Sequence, residues 1–95
     1  MAVLPIPPDI FFSDFEFSLQ TYSIIRNHQK IGSVPGLINY EKRTGKDFIH
    51  FKLEAQVSPG DVLECEGDLF LVTKVSFDTY EGQKALLRAY IVDTF

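Results

Sequence analysis

The sequence predicts an all-β fold, a small six-stranded antiparallel barrel or sandwich entered by a proline-rich N-terminal arm. Three observations point there. Residues 47–57 alternate Ile49, Phe51, Leu53, Ala55 and Val57 with His50, Lys52, Glu54 and Gln56, a period of two that turns one face to a core and the other to water. Candidate strands recur about every ten residues between short polar turns. No segment of about 12 residues or more carries a sustained helical period.

At 95 residues with 45% apolar and 14% aromatic side chains, the chain has the length for one domain and enough apolar surface to fold it. The expected division is an arm over 1–12 and a single barrel over 13–95. In the arm, Pro5, Pro7 and Pro8 fix φ and remove N–H donors, which favours polyproline-like or loop structure. Val3, Leu4, Ile6, Ile10, Phe11 and Phe12 make it apolar, so it must dock on its own barrel or on a neighbour. The barrel is expected to fold without it.

Between Ser13 and Arg26 two periods compete. Phe15, Phe17 and Leu19 alternate as in a strand, whereas Phe15, Leu19, Tyr22 and Ile25 recur near helical spacing behind a capping-type Ser13 or Asp14. The β-branched and aromatic content favours a strand. Asn27 to Gly36 has the residue types of a loop. Leu37–Lys42 and Asp47–Val57 form a hairpin about Arg43-Thr44-Gly45-Lys46. Ser58-Pro59-Gly60-Asp61 turns the chain into Val62–Cys65, and Glu66-Gly67-Asp68 reverses it into Leu69–Phe77. In that strand Leu69, Leu71, Thr73, Val75 and Phe77 share one face. Asp78–Gln83 reads as a loop, and Ala85, Leu87, Ala89 and Ile91 form the inward face of the last strand.

Residues able to carry chemistry are few. Cys65 lies between Glu64 and Glu66, whose charges oppose a thiolate, and its alternation with them turns it inward, so a buried structural thiol is expected rather than a nucleophile. A small cysteine-dependent enzyme is the weakest reading. His28 in a loop and His50 on a polar strand face are expected to be solvated, as are Asp78, Glu81 and the acids from Asp61 to Asp68. Two histidines 22 positions apart and one cysteine lack the paired spacing of a zinc site, so no metal, cofactor or catalytic residue is assigned. The lone cysteine suits a reducing compartment, and the opening segment reads as neither a signal peptide nor a targeting helix. Cytoplasmic synthesis without a membrane span is expected.

Nine Lys and Arg against thirteen Asp and Glu give a net charge of -4, which removes the long-range attraction most nucleic-acid binders use. An OB-like module for single-stranded nucleic acid remains an alternative through Tyr40, Lys42, Phe48, His50 and Lys52, placed as one basic aromatic face.

The string Ser58-Pro59-Gly60-Asp61-Val62-Leu63-Glu64-Cys65-Glu66-Gly67-Asp68-Leu69-Phe70-Leu71-Val72-Thr73-Lys74-Val75 resembles small tailed-phage head–tail connector and tail-completion proteins. The shared pattern is a Gly-Asp turn, a short strand, a tight acidic turn and an aromatic-aliphatic strand ending in valine. The resemblance implies a non-enzymatic adaptor in a ring of β-barrel subunits between portal and tail, made in the host cytoplasm and carried into the virion. Its partners would be further copies and portal or tail proteins, with DNA only passing through a channel and no small-molecule substrate. Phe11, Phe12 and Phe15 are then expected to anchor contacts between subunits or with the portal. Arg43 and Lys46 in one turn, and Tyr80 and Glu81 in another, are expected to reach partners.

Overall fold

Tight reversals set the architecture. Asn27-His28, Glu66-Gly67 and Glu81-Gly82 each hold two successive residues at positive φ (53° and 65°, 50° and 88°, 51° and 78°). That is the signature of a two-residue type I′ turn, whose twist matches the strands it joins. A further reversal at 42–45 is closed by the N–H of Gly45, which donates to the Glu41 carbonyl at 2.8 Å. These turns delimit β1 (Gln20–Arg26), β2 (Gln29–Glu41), β3 (Lys46–Lys52), β4 (Val62–Cys65), β5 (Asp68–Tyr80) and β6 (Gln83–Asp93). A helix α1 (Pro8–Asp14) and a 3-10 turn (Glu16–Ser18) precede them. The computed structural model describes residues 3–93; Met1, Ala2, Thr94 and Phe95, the outer ends of the expected arm and barrel, lie outside the described residues.

All strand pairs are antiparallel, and they close in the order β1-β2-β3-β6-β5-β4. The fold is therefore the barrel rather than the sandwich. Tyr22, Ile49, Phe51, Leu63, Val72 and Ala89, at most 1% exposed, meet at its centre. Cys65 joins that core as a free buried thiol.

Several local expectations give way to this closure. The loop read over Asn27–Gly36 is mostly strand: only Asn27 and His28 turn, and β2 runs 13 residues, pairing with β1 through its first half and with β3 through its second. The strand read over Asp47–Val57 stops at Lys52, because β3 and β4 lie on opposite sides of the barrel and the chain must cross its end between them. Ala55 and Val57 keep the alternation's apolar promise by packing down onto the core from that crossing.

In β5 the inward residues are Phe70, Val72, Val75 and Phe77. The register with β6 slips between Val72 and Lys74, so the extra residue Thr73 exchanges the faces, and Leu69 and Leu71 fall out of step with Val75. A second slip near Asp78 leaves Ala85 unpaired and removes it from the central core. The loop expected from Asp78 shrinks to Glu81-Gly82, since β5 continues to Tyr80.

The arm belongs to the same body. Polyproline geometry ends at Pro7, and Pro8 opens a helix, where its missing N–H costs nothing. Helix, 3-10 turn and only then strand occupy the stretch read as strand from Ser13, so the helical spacing governs as far as Asp14 and the alternation takes over from Gln20. Leu4 and Phe12 pack with Ala85 and Leu86 in a second cluster, and the Leu4 N–H donates to the Thr79 carbonyl at 2.7 Å. Residues 1–12 thus supply Leu4 and Phe12 to this cluster, and the arm docks on its own barrel.

Closure is narrowest between β1 and β4, which share three residue pairs, Ser23 with Glu64, Ile24 with Leu63 and Ile25 with Val62. Immediately beyond them Arg26 forks onto Asp61, Nε to Oδ1 and Nη2 to Oδ2, both at 2.8 Å. Asp61 also accepts the Ser58 N–H at 2.9 Å, and Arg26 donates to the Gln56 carbonyl at 3.0 Å. One ion pair thus extends the seam and pins the crossing chain. The hydrogen bond from Arg26 is the main reason that the buried Asp61 carboxyl sits below its ordinary pKa.

Two outcomes are expected. Gly36 is where β2 passes from β1 to β3, and a Cβ there would stand 2.7 Å from side-chain atoms of both Ile49 and Phe51. Gly36→Ala should cost about 1–3 kcal/mol in urea unfolding through overpacking; no loss would show that the barrel interior yields easily. Because the folded pKa of Asp61 is depressed, its charge contributes stability above the unfolded value near 4 and loses it as pH falls through the folded value. The stability gap between wild type and Asp61→Asn should be largest near neutral pH and narrow on acidification, and a gap independent of pH would separate Asp61 from acid sensitivity.

Candidate functional site: a basic cleft over a buried polar network

The outer wall of β3, β6 and β5 carries polar groups wherever the core alternation turns outward. In β5 these are Lys74, Ser76 and Asp78; in β6, Arg88 and Tyr90; in β3, His50, with the ring of Phe48 on the same face. Direct cross-strand partners share a face, so His50 lies beside Arg88, and Arg88 beside Ser76.

His50 and Asp78 were both expected to be solvated, yet they are 5% and 1% exposed. Helix α1 covers His50. Phe11 meets the His50 ring edge-on at 5.2 Å between centroids, and Phe48 does so from the other side at 5.0 Å. Beneath this cover His50 Nε2 donates to Asp78 Oδ2 at 2.5 Å, and Arg88 Nη2 donates to the same oxygen at 3.0 Å. Arg88 Nη1 reaches Glu41 Oε2 at 2.8 Å, which also accepts from the Tyr90 hydroxyl at 3.1 Å. The guanidinium lies 4.0 Å from the Phe48 ring centre.

Charges follow from these contacts. Burial acts to raise the Asp78 carboxyl, but the hydrogen bonds from His50 and Arg88 outweigh it and leave the pKa lowered. Glu41 is lowered chiefly by the hydroxyl of Thr44, which donates to it at 2.8 Å. Asp78 Oδ1 and Arg88 Nε remain without hydrogen-bond partners inside the network.

Both ring nitrogens of His50 are engaged, since Asn39 Nδ2 donates to Nδ1 at 3.5 Å. With both nitrogens facing protein groups and its ring flanked by Phe11 and Phe48, His50 is a buried member of the network rather than an open imidazole. The Cys65 thiol is pushed up by burial and by Glu66, Asp68 and Glu64, the reverse of what a nucleophile requires. Among the described residues no group of three or more His, Cys, Asp or Glu could hold a metal ion, and no helix is long and apolar enough to cross a membrane.

Outside the network the wall opens into a cleft of about 640 Å³ under the β2–β3 turn. Arg43, Lys46 and Lys74 line it and make no ion pair among the described residues. Arg88 is neutralised by its two acids, which leaves Arg43, Lys46 and Lys74 as the exposed cations of the cleft on a chain of net charge -4, with Arg43 near enough to Glu41 to help lower that carboxyl.

Of the residues expected to contact partners, Arg43 and Lys46 share this cleft and are exposed. Phe11 is half-buried on His50, and Phe12 is spent in the second cluster at 5% exposure, where it is unavailable as an anchor. Phe15 leans on Phe11 at 5.3 Å and stays 41% exposed. Tyr80 packs against the second cluster, and Glu81 is exposed in its turn. The basic aromatic face imagined for single-stranded nucleic acid is broken up. Phe48 and His50 are buried, and Tyr40 pairs with Asp47, one step out of phase with Phe48.

The sequence reading missed Asp78, Arg88 and Glu41 as a unit. Its available signal was the polar alternation Lys74, Ser76, Asp78 on one strand against Arg88 and Tyr90 on another. No protein-family model matches this chain, and no curated protein is significantly similar to it.

Asp78→Asn leaves Arg88 and His50 without a buried counter-charge. It should destabilise the fold by about 3–5 kcal/mol in denaturant titration, and a change below about 1 kcal/mol, the scale of an exposed pair, would show the network to be ornamental.

Proposed function

We propose that this chain is a non-enzymatic structural adaptor, a ring-forming subunit of the head–tail connector or tail-completion kind. The observation that carries the reading is Phe17, 89% exposed on the 3-10 turn between α1 and β1, with Phe15 and Ile10 also exposed at 41% and 48%. Apolar rings held outward on a docked element suit burial against a protein partner. The resemblance of residues 58–75 to connector subunits supports the same reading. The barrel interior is filled by side chains, with Ile49, Phe51 and Ala89 at 0% exposure, so DNA passing such a ring would run between copies rather than through any one of them.

Phe17→Asp tests this. The variant should keep the wild-type melting temperature within about 2 °C, since the ring is scarcely buried and exposed substitutions have small effects. It should abolish both self-association and the complex formed on co-expression with the portal and tail proteins of its own genome, read by gel filtration and electron microscopy. Failure of the wild type to associate with itself or with those proteins overturns the adaptor reading.

A further inference from the structure

We infer that the cleft lined by Arg43, Lys46 and Lys74 is a socket for the β4–β5 turn of a second copy of this chain. This rests on the proposed ring and names its contact. The turn Glu66-Gly67 is flanked so that Glu64, Glu66 and Asp68 gather within five residues. None of the three makes an ion pair among the described residues. Three carboxylates outside any ion pair on one tight hairpin therefore complement the exposed cations Lys46, Lys74 and Arg43 around the cleft. The field of that hairpin is felt inside the barrel, where Glu66, Asp68 and Glu64 all add to the upward displacement of the Cys65 thiol.

Topology places the two features for propagation. In a barrel whose strands alternate direction, the β2–β3 and β4–β5 turns emerge at the same end. The socket spans β3, β6 and β5, and the plug joins β4 to β5, so the two patches lie beside each other at that end, with β5 running from the plug into the socket wall. A contact between unlike patches repeats from copy to copy, and a constant rotation at each step closes it into a ring. Opposite charges across such a contact set register and speed encounter, and like charges there oppose assembly.

A charge-swap experiment tests the contact. The socket variant Lys46→Glu with Lys74→Glu makes both patches acidic, and the plug variant Glu66→Lys with Asp68→Lys makes both basic. All four positions are exposed, so each variant should keep the wild-type circular dichroism spectrum and thermal transition. The wild type should self-associate at low salt and dissociate as salt is added. Each variant alone should associate at least about tenfold more weakly. An equimolar mixture of the two should recover assembly, because each basic patch then meets an acidic one.

Recovery on mixing supports the plug-and-socket contact. If both variants assemble like wild type, the contact is wrong while the adaptor reading stands on its Phe17 test. Wild type that remains monomeric at low salt overturns the contact. So does a fluorescent oligothymidylate that binds the wild type and is lost in the socket variant without any self-association, since the cleft would then hold nucleic acid.

Discussion

The fork of Arg26 on Asp61 is the constraint from which much of this barrel follows. A six-stranded barrel has as many seams as strands, and the one between β1 and β4 is the shortest, with three residue pairs. Left alone it would be the place where the cylinder opens into a sheet with two exposed edges, each a template for unwanted pairing. The guanidinium lies one residue beyond the last pair and grips a carboxylate that also holds the Ser58 N–H. The same contact anchors the crossing from β3 to β4, which carries Val57 over the end of the core. Closure, end-capping and the position of the short strand β4 are therefore coupled through one buried carboxylate.

Inside and outside of the wall use opposite physics. The interior is apolar and filled, with Gly36 present because two side chains occupy the space a Cβ would need. The exterior of β3, β6 and β5 carries charges drawn out of water by pairing with one another and by the aromatic rings beside them. Helix α1 brings Phe11 onto His50 and Phe12 onto Leu86, and the polar groups so buried satisfy one another through His50, Asp78, Arg88 and Glu41. Burying such groups is unfavourable unless they are paired. The network accordingly ties the arm, the β2–β3 turn and the outer wall into one unit, and the cleft beside it inherits a fixed shape.

That arrangement separates two surfaces of different chemistry. The segment after α1 offers exposed phenyl rings, and one barrel end carries a basic cleft beside an acidic hairpin. Apolar anchors supply affinity on contact, whereas charges choose orientation and partner.

From the amino-acid order alone came the strand class, the count of six, the tight turns at Gly45, Gly60 and Gly67, the buried thiol, and the inward faces of β3 and most of β6. These are legible because turn residues and alternation act locally, within the reach of a few bonds. The long β2, the early end of β3, the face exchange at Thr73 and the helix at Pro8 were not legible. Each depends on which strand lies alongside, and pairing partners far apart in the chain leave no mark on a period of two. The same reason hid the polar network. His50, Asp78 and Arg88 look like solvated outward residues until the arm folds across His50 and both His50 and Arg88 pair with Asp78, and only the three-dimensional arrangement decides whether an outward position meets water or another side chain.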